Sequence, residues 1–353
     1  MSIESYILGL QKNPSPGKIG KIVLGGLELL AGIYEKGVVK KYEKAGRNAR
    51  RMPIPVISVG NITAGGTGKT PCILKLAEML HKKGHHPAIL SRGYKSGLEK
   101  VGGVVSDGRS WRISQKLAGD EPYMMALKIP DVPVLVGRNR IISAEKAIKL
   151  GADILLLDDG FQYWDMKRDL DIVLIDCTNP FGYGYSLPRG LLREPMEALR
   201  RAHTFILTKS EQADVSVKTD IKKNLFRLAP QALILESFHS PSLLVPFNKW
   251  KKGIKEDCLS CQKGRRTFIL SGIGNPEAFK ETTLEAGLNL VGNMFFPDHH
   301  VYTSADMESA EMAAAYSGAD LITVTEKDAV KMLNLSKAED SKIPLYVLEI
   351  EMK

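Results

Sequence analysis

Residues 56–71, VISVGNITAGGTGKTP, combine residue types and spacing that are suited to phosphate chemistry. A short apolar run leads into a glycine-rich loop, and Lys69 and Thr70 follow at the start of a helical pattern. Strand, glycine loop, Lys-Thr and helix in this order are typical of a phosphate-binding loop. Lys69 can reach the β- and γ-phosphates, and the Thr70 hydroxyl can hold Mg²⁺. The residues predicted to bind the nucleotide are Gly65, Gly66, Thr67, Gly68, Lys69 and Thr70.

The loop departs from the usual pattern at one position. Thr63 stands where a phosphate-binding loop normally has its first glycine, five residues before Gly68. A chance glycine cluster beside Lys-Thr is the alternative explanation. The flanking sequence argues against it, because an apolar strand precedes the loop and helically spaced apolar residues follow it. These residues are Ile73, Leu74, Ala77 and Leu80.

Two carboxylates follow a second strand pattern. Residues 152–157 are a largely apolar run that closes on Asp158 and Asp159, as expected of a buried parallel strand. In phosphate-loop proteins, the second group that helps to hold Mg²⁺ is an acid at such a strand end. Aspartates are common in turns, so the pair indicates a metal site only because a phosphate-binding loop lies upstream. We predict that Thr70, Asp158 and Asp159 bind the metal.

Phosphoryl transfer to a hydroxyl also needs a group that accepts a proton. Asp120, in the sequence GDEP, lies at a loop–helix junction, where catalytic groups collect in β/α proteins, although such an acid is also an ordinary helix cap. The segment FPDHHVY offers Asp298, His299 and His300, and a carboxylate partner can make a histidine basic. Adjacent histidines point in different directions, so these two are less suited to binding one metal ion together. The structural alternative is a cluster of polar side chains that hydrogen-bond to one another. Asp120 and His299 are the best-placed candidates for this proton acceptor.

The residues that follow the late strands indicate which nucleotide the protein binds. A GTPase is expected to show Asn-Lys-x-Asp there, whereas this chain has Thr-Lys-Ser-Glu at 208–211 and Thr-Glu-Lys-Asp at 325–328. ATP is therefore favoured. The sequence also lacks the basic and aromatic tracts that a nucleic-acid motor needs, so no nucleic-acid partner is predicted.

The elements that must position these residues alternate between strand and helix. The predicted fold is α/β and P-loop NTPase-like: a mostly parallel sheet with helices on both faces, a second smaller α/β lobe and an N-terminal amphipathic helix. Residues 101–114 are predicted to form a hairpin that turns at Asp107-Gly108. The irregular segment 181–195 is predicted to be a long functional loop. The predicted divisions are an amphipathic and basic N-terminal segment at 1–51, a P-loop core at 52–234, a linker at 235–266 and a C-terminal lobe at 267–353, whose last strand could return to the core.

Residues 18–39 form a helical pattern with a broad apolar face and a narrow charged one. The net charge of the chain is +9, and residues 1–51 hold ten Lys/Arg and four Glu. A wide apolar face with basic flanks fits a helix that lies in a membrane interface. Packing of a terminal helix on the domain explains the same pattern. The apolar run is too short to cross a bilayer.

Four cysteines are too few and too scattered for a disulfide framework. Cys258 and Cys261 form a C-x-x-C, but without a second pair this is a weak zinc signal. Two cysteines in a surface loop are the favoured interpretation.

Several motifs, taken together and in order, resemble the lipid A 4′-kinases (tetraacyldisaccharide 4′-kinases). They are VGNITAGGTGKTP, LSRGYK, GDEP, VGRNR, LLLDDGFQ, LPRGLLREP, FPDHH and TEKD, and they cover nearly the whole chain. The resemblance accounts for Thr63 as a family feature. It implies transfer of the γ-phosphate of ATP, with Mg²⁺, to the 4′-hydroxyl of a tetraacylated glucosamine disaccharide 1-phosphate, giving lipid IV-A. It also implies contact with the cytoplasmic face of a bacterial inner membrane through the N-terminal region, and no required protein partner.

The resemblance also assigns residues. It implies that Lys69 and Thr70 bind phosphate and metal, that Asp158 and Asp159 form the second metal motif, and that Asp120 acts as base with His299. Residues expected around the active site are Tyr94, Arg138, Gln162 and Glu194. Two other functions stay open at this point: a P-loop ATPase that switches a protein partner, and a non-enzymatic membrane scaffold with a degenerate loop.

Overall fold

The computed structural model describes residues 3–13, 16–110, 113–298 and 300–353. Within these residues, close contacts divide the chain into two compact units. Unit 1 comprises Met1–Ile73 and Ala144–Phe238, and unit 2 comprises Leu74–Ser143 and His239–Lys353. Each unit therefore combines segments that are far apart in the sequence. This grouping differs from the linear divisions expected above, because residues 74–143 group with the C-terminal part of the chain.

The strands are β1 Val56–Gly60, β2 Pro87–Ser91, β3 Gly103–Asp107, β4 Pro133–Val136, β5 Ile154–Asp158, β6 Leu170–Asp176, β7 Thr204–Thr208, β8 Leu233–Glu236, β9 His239–Pro246, β10 Arg266–Ser271, β11 Asn289–Phe295, β12 Leu321–Thr325 and β13 Leu345–Met352. The helices are α1 Ile3–Lys12, α2 Lys18–Arg47, α3 Lys69–Lys82, α4 Gln115–Ala118, α5 Asp120–Lys128, α6 Arg140–Lys149, α7 Val215–Leu228, α8 Phe247–Trp250, α9 Leu259–Gln262, α10 Pro276–Glu285, α11 Ser304–Tyr316, α12 Glu326–Lys331 and α13 Ser336–Glu339.

Unit 1 contains a parallel sheet in the order β5-β1-β6-β7-β8. Strand β5 is buried along its whole length, as its apolar sequence predicts for a strand that is covered on both faces. Phe161, Phe205 and the α7 residues Ile221 and Leu225 belong to one buried cluster of this unit. Because the strands are parallel, the segments that follow β1 and β5 leave the sheet at the same edge.

Unit 2 contains two strand groups. In the first, β4 pairs in parallel with β2 and antiparallel with β3. The second has the order β11-β10-β12-β13-β9, in which only the β13–β9 pair is antiparallel. Met124 of α5 is buried in the same core as Phe268, Tyr302 and Val324. The predicted α/β architecture with mostly parallel strands is confirmed.

Three local predictions need correction. The first arm of the expected 101–114 hairpin forms β3, but it pairs with β4 rather than with the residues that follow it; part of the expected second arm, 111–112, lies outside the described residues. The segment 235–266, expected as a linker, contains β9, which pairs with β13. The same pairing places the last strand, β13, in the second strand group of unit 2, so this strand does not return to the core expected at 52–234. Strand pairing between distant segments decides these cases, and local sequence does not encode it.

Helix α2 runs to Arg47, longer than the predicted 18–39, and its apolar residues lie on two different sides. Gly20, Leu24 and Ala31 are buried. A second stripe is 53–76% exposed and consists of Ile19, Ile22, Leu29, Leu30 and Ile33. At about 100° per residue the two sets lie on nearly opposite sides of the helix. Domain packing and an apolar exposed face, weighed above as alternatives, therefore occur together.

Candidate active site

The phosphate loop connects β1 to α3 in unit 1. Gly65 and Gly68 have φ angles of 115° and 85°, a region that favours glycine because it lacks Cβ. Gly66 does not need that region, and a Cβ placed on it would meet no atom within 4 Å. Its lack of a side chain therefore leaves open space beside the backbone, as a loop that approaches phosphate oxygens requires.

Thr63 has a structural role that explains the missing glycine. It forms an antiparallel bridge with Leu192. The neighbouring backbone completes the pairing, since Arg193 N donates to Ile62 O at 2.7 Å and Ala64 N donates to Leu191 O at 2.7 Å. A β-branched residue suits extended backbone of this kind. The loop 181–195 thus runs beside the start of the phosphate loop.

A charged cluster lies around the side chain of Lys69. The Arg193 guanidinium donates to both oxygens of Asp159, at 2.7 and 3.0 Å, and Lys69 Nζ lies 3.8 Å from the same carboxylate. Lys69 and Arg193 both donate to Asn61 Oδ1 at 3.3 Å. Burial lowers the pKa of Arg193, but the charge and hydrogen bonds of Asp159, together with smaller effects of Tyr34 and Glu194, raise it overall. Two cations therefore converge on one carboxylate beside the loop.

The turn that carries Asp159 is tightly constrained. Asp159 has a φ of 50°, an unfavourable region for a residue with a Cβ, although aspartate tolerates it better than most. A Cβ on the following Gly160 would come within 2.5 Å of Leu157 Cβ, so only glycine fits there. Such strain is retained where the surrounding structure fixes the conformation, and it is common at functional sites.

Gln162 and Glu194, both predicted to lie around the active site, are in direct contact. Gln162 Nε2 donates to Glu194 Oε1 at 2.8 Å and to the carbonyl of Asn61 at 3.0 Å. The other oxygen of the buried Glu194 accepts a bond from Arg201 at 2.7 Å. This network connects the 181–195 loop to the residue that precedes the phosphate loop.

The metal ligands predicted from the sequence suit Mg²⁺ in their chemistry. Thr70 and Asp158 are buried, and hydroxyl and carboxylate oxygens are the donors that Mg²⁺ prefers. No cluster of three or more His, Cys, Asp or Glu with metal-binding geometry occurs in the described part of the chain. A P-loop metal does not need one, because phosphate oxygens and water complete its coordination. Both oxygens of Asp159 bond to Arg193, so its metal role stays a prediction.

The other predicted residues belong to unit 2. Asp120 is the first residue of α5, and Gln115 donates to its Oδ1 at 2.6 Å. Tyr94 is exposed after β2, and Arg92 and Lys95 lie over its ring. The exposed Arg138 follows β4. Because β2 and β4 are parallel, the segments bearing Tyr94 and Arg138 leave the sheet at the same edge.

The TEKD motif holds helix α5 in place. Lys128, at the end of α5, lies 2.7 Å from Glu326 Oε1 and 3.4 Å from Glu349 Oε2. Lys327 pairs with Glu121, the residue after Asp120. Burial raises the pKa of Glu326 to about 7, against the opposing effect of Lys128. Ion pairs thus connect the Asp120 helix to α12 and β13.

The last residue of that motif organises the segment after β11. Buried Asp328 accepts bonds from Tyr302 Oη at 3.0 Å and from Gly272 N at 3.1 Å. His300 stacks on Phe296 with ring centroids 4.1 Å apart, and its Nε2 lies 3.1 Å from Asp306 Oδ2. The predicted catalytic His299 lies outside the described residues. His300 is thus held by its contacts with Phe296 and Asp306.

A family model, "Tetraacyldisaccharide-1-P 4'-kinase" (LpxK), matches residues 21–353 of this chain. The chain belongs to the tetraacyldisaccharide 4′-kinase family. A tetraacyldisaccharide 4′-kinase of Syntrophus aciditrophicus is 39% identical over 100% of this chain and 95% of the relative. One of Halothermothrix orenii is 38% identical over 99% of this chain and 94% of the relative.

A solved structure also resembles this chain. It is the LpxK of Aquifex aeolicus, crystallised with ATP, and it aligns with a TM-score of 0.72 and 28% identity. The alignment covers 94% of this chain and 95% of the Aquifex chain. Family membership makes this protein a phosphotransferase of lipid A biosynthesis. The alternative of a partner-switching ATPase is not favoured.

Two site residues were not among the predicted ones. Asn61 lies within the VGNITAGGTGKTP motif and Arg193 within the 181–195 loop, but neither was predicted as a site residue. Their positions carried a signal: Asn61 directly follows the strand that enters the phosphate loop, and Arg193 adjoins Glu194. Their contacts with Lys69 and Asp159 depend on the tertiary structure.

Proposed function

We propose that this protein is an ATP- and Mg²⁺-dependent kinase that phosphorylates the 4′-hydroxyl of a tetraacylated glucosamine disaccharide 1-phosphate, giving lipid IV-A. The observation that carries the proposal is the phosphate loop of a family member, with Lys69 beside Asp159 and Arg193. Phosphoryl transfer depends on positioning and on neutralising charge. Lys69 and the loop N–H groups would hold the β- and γ-phosphates.

Thr70 and Asp158 would hold Mg²⁺, with Asp159 nearby. When bound, the metal neutralises charge on the phosphates. Asp120 would accept the proton from the 4′-hydroxyl, with His299 as its partner. The hydroxyl oxygen then forms a bond to the γ-phosphorus, the bond between that phosphorus and the β–γ bridging oxygen breaks, and ADP leaves. Tyr94, Arg138, Gln162 and Glu194 are proposed to line the site.

We further infer that the enzyme works at the cytoplasmic face of the inner membrane, as a peripheral or monotopic protein. The exposed stripe of α2 supports this location, as do Lys36, Lys40, Lys41 and Lys44 on the same helix. Within the described residues, no helix has the length and apolar character needed to cross a bilayer. An acylated acceptor stays in the membrane, so the enzyme must come to it. The proposal needs no protein partner and no nucleic acid.

The test is a transfer assay with purified protein, γ-labelled ATP and the acylated disaccharide 1-phosphate in mixed micelles, followed by mapping of the phosphate position. We expect label at the 4′ position. Lys69→Ala and Asp120→Asn should lower kcat by about 10²- to 10⁴-fold, since each removes a charge or proton acceptor at the reacting centre. Matched controls are the exposed Lys75→Ala and Asp131→Asn. Near-normal turnover in Asp120→Asn would contradict its role as base, and protein-stimulated ATP hydrolysis without lipid transfer would contradict the kinase.

A further inference from the structure

Helix α2 does more than present an apolar stripe. Its Tyr34 hydroxyl donates to the backbone carbonyl of Arg193 at 3.0 Å. Its Glu35 Oε1 accepts a bond from the Ser186 hydroxyl at 2.6 Å. Both bonds reach the 181–195 loop from more than 150 residues away in the sequence. The helix therefore contacts this loop at two points.

The other side of the same loop faces the phosphate-binding residues. Arg193, whose carbonyl accepts the Tyr34 bond, also donates from its guanidinium to both oxygens of Asp159 and to Asn61 Oδ1. Its backbone N–H bonds to Ile62 at the start of the phosphate loop. Arg193 is thus fixed at three points: by its carbonyl to α2, by its N–H to the loop and by its side chain to Asp159.

We propose that Tyr34 and Glu35 are positioning residues of the nucleotide site, acting through the 181–195 loop to hold Arg193 against Asp159 and the phosphate loop. The inference rests on the proposed function, because it takes the phosphate loop to bind ATP. It gives α2 a second role, since the helix that carries the exposed apolar stripe also sets the geometry of the nucleotide site.

The chemistry of each contact supports a positioning role rather than simple filling of space. Tyr34 is half-buried, and burial raises the pKa of its phenol, so the hydroxyl keeps the proton that it donates. Phenylalanine would fill the same volume but leave the Arg193 carbonyl without this donor. Glu35 needs only an acceptor oxygen towards Ser186, which glutamine also supplies.

The experiment measures binding of a fluorescent ATP analogue with Mg²⁺ to the full-length protein, without lipid. Tyr34→Phe should weaken binding by about two- to tenfold, the effect of one hydrogen bond. Arg193→Lys should weaken it more, because lysine lacks the two-pronged geometry. The double variant should bind about as weakly as Arg193→Lys alone, since Tyr34 acts through that side chain. Glu35→Ala should weaken binding while Glu35→Gln retains it.

Tyr42→Phe is the matched control on the same helix, because the ring contacts of Tyr42 with Trp164 and Arg201 survive the change. Melting temperatures identify any variant that loses affinity by unfolding. Unchanged affinity in Tyr34→Phe would overturn the inference, and so would independent, multiplying effects of Tyr34→Phe and Arg193→Lys. Failure of the wild-type protein to bind the analogue would instead overturn the proposed function.

Discussion

At the scale of single residues, the proposed nucleotide site depends both on side chains that make contacts and on a position that has no side chain. Arg193 grips Asp159 with two hydrogen bonds, and Thr63 uses extended backbone to join the phosphate loop to its neighbour. Gly66 contributes by having no side chain, because its Cβ position faces open space. These roles distinguish residues that shape the loop from residues that leave room for a ligand.

The first prediction concerns Gly66→Ala. The added methyl group meets no atom of the protein, so the melting temperature should stay close to that of the wild type. It should still obstruct the approach of phosphate to the backbone and weaken ATP binding on the order of tenfold or more, the loss of one or two charge-assisted hydrogen bonds. Calorimetric titration measures the affinity. Gly46→Ala on α2, which also meets no atom within 4 Å, is the control; equal affinity in both variants would contradict this role.

At the scale of elements, helices α2 and α5 each connect a predicted functional feature to the fold. Helix α2 buries one side, exposes an apolar stripe on the other and bonds to the 181–195 loop. Helix α5 begins with Asp120 and ends in the Lys128 ion pairs with α12 and β13. In α5, the ion pairs at the C-terminal end hold the helix that begins with Asp120. In α2, the bonds come from the middle of the helix and hold the 181–195 loop.

The exposed stripe of α2 gives the second prediction. Ile22→Ser, Leu29→Ser and Ile33→Ser, combined, should weaken partitioning onto anionic vesicles by roughly 100-fold, about 1 kcal/mol for each side chain. ATP binding in lipid-free buffer should stay unchanged, because these side chains are exposed. A vesicle co-sedimentation assay measures partitioning. The triple variant Val215→Ser, Phe226→Ser and Leu233→Ser changes equally apolar exposed residues elsewhere; an equal loss there would refute a specific membrane face.

The buried ion pairs of α5 give the third prediction. Burial raises the pKa of Glu326 from an ordinary 4.5 to about 7. A carboxyl group whose pKa is raised on folding makes its full contribution to stability below about pH 4.5, where it is protonated in both the folded and the unfolded state. That contribution is lost as the pH rises through 7. The free energy of unfolding should therefore fall across this window by up to roughly 3 kcal/mol on account of this group.

Glu326→Gln should remove that part of the pH dependence, because the amide does not ionise. Urea denaturation at pH 5 and pH 7.5 measures it, with the exposed Glu285→Gln as the control for loss of an acid. A wild-type slope that persists in Glu326→Gln would show that another group titrates. The experiment needs no substrate, so it tests the fold around α5 independently of the proposed chemistry.

At the scale of the whole molecule, the chain passes between two units, and the predicted chemistry is divided between them. The phosphate loop, Asp158 and Asp159 belong to unit 1, whereas Asp120 and the segment after β11 belong to unit 2. Helix α3 begins in one unit and continues into the other. The residues proposed for phosphate binding and for proton transfer are therefore supported by different cores.

The fourth prediction concerns the stability of the nucleotide-bound protein. A ligand at 100 times its Kd stabilises the folded state by about 2.7 kcal/mol, which raises the melting temperature of a unit of this size by roughly 5–10 °C. Wild-type protein should show this shift with ATP and Mg²⁺. Removing Mg²⁺ with a chelator, or Lys69→Ala, should abolish most of it, as differential scanning fluorimetry can measure. A full shift in Lys69→Ala would place the nucleotide elsewhere.

By itself, the sequence determined the α/β architecture, the phosphate loop and the family. These features depend on local patterns: apolar strand runs, a glycine loop before Lys-Thr, and motifs in a fixed order. The partners of distant segments were decided only by the tertiary structure, because strand pairing and side-chain contacts between remote residues leave no local trace. Such contacts place Arg193 against Asp159, pair β9 with β13 and give α2 two apolar sides. Periodicity alone predicted one broad apolar face, since it cannot tell a side packed on the protein from one left exposed.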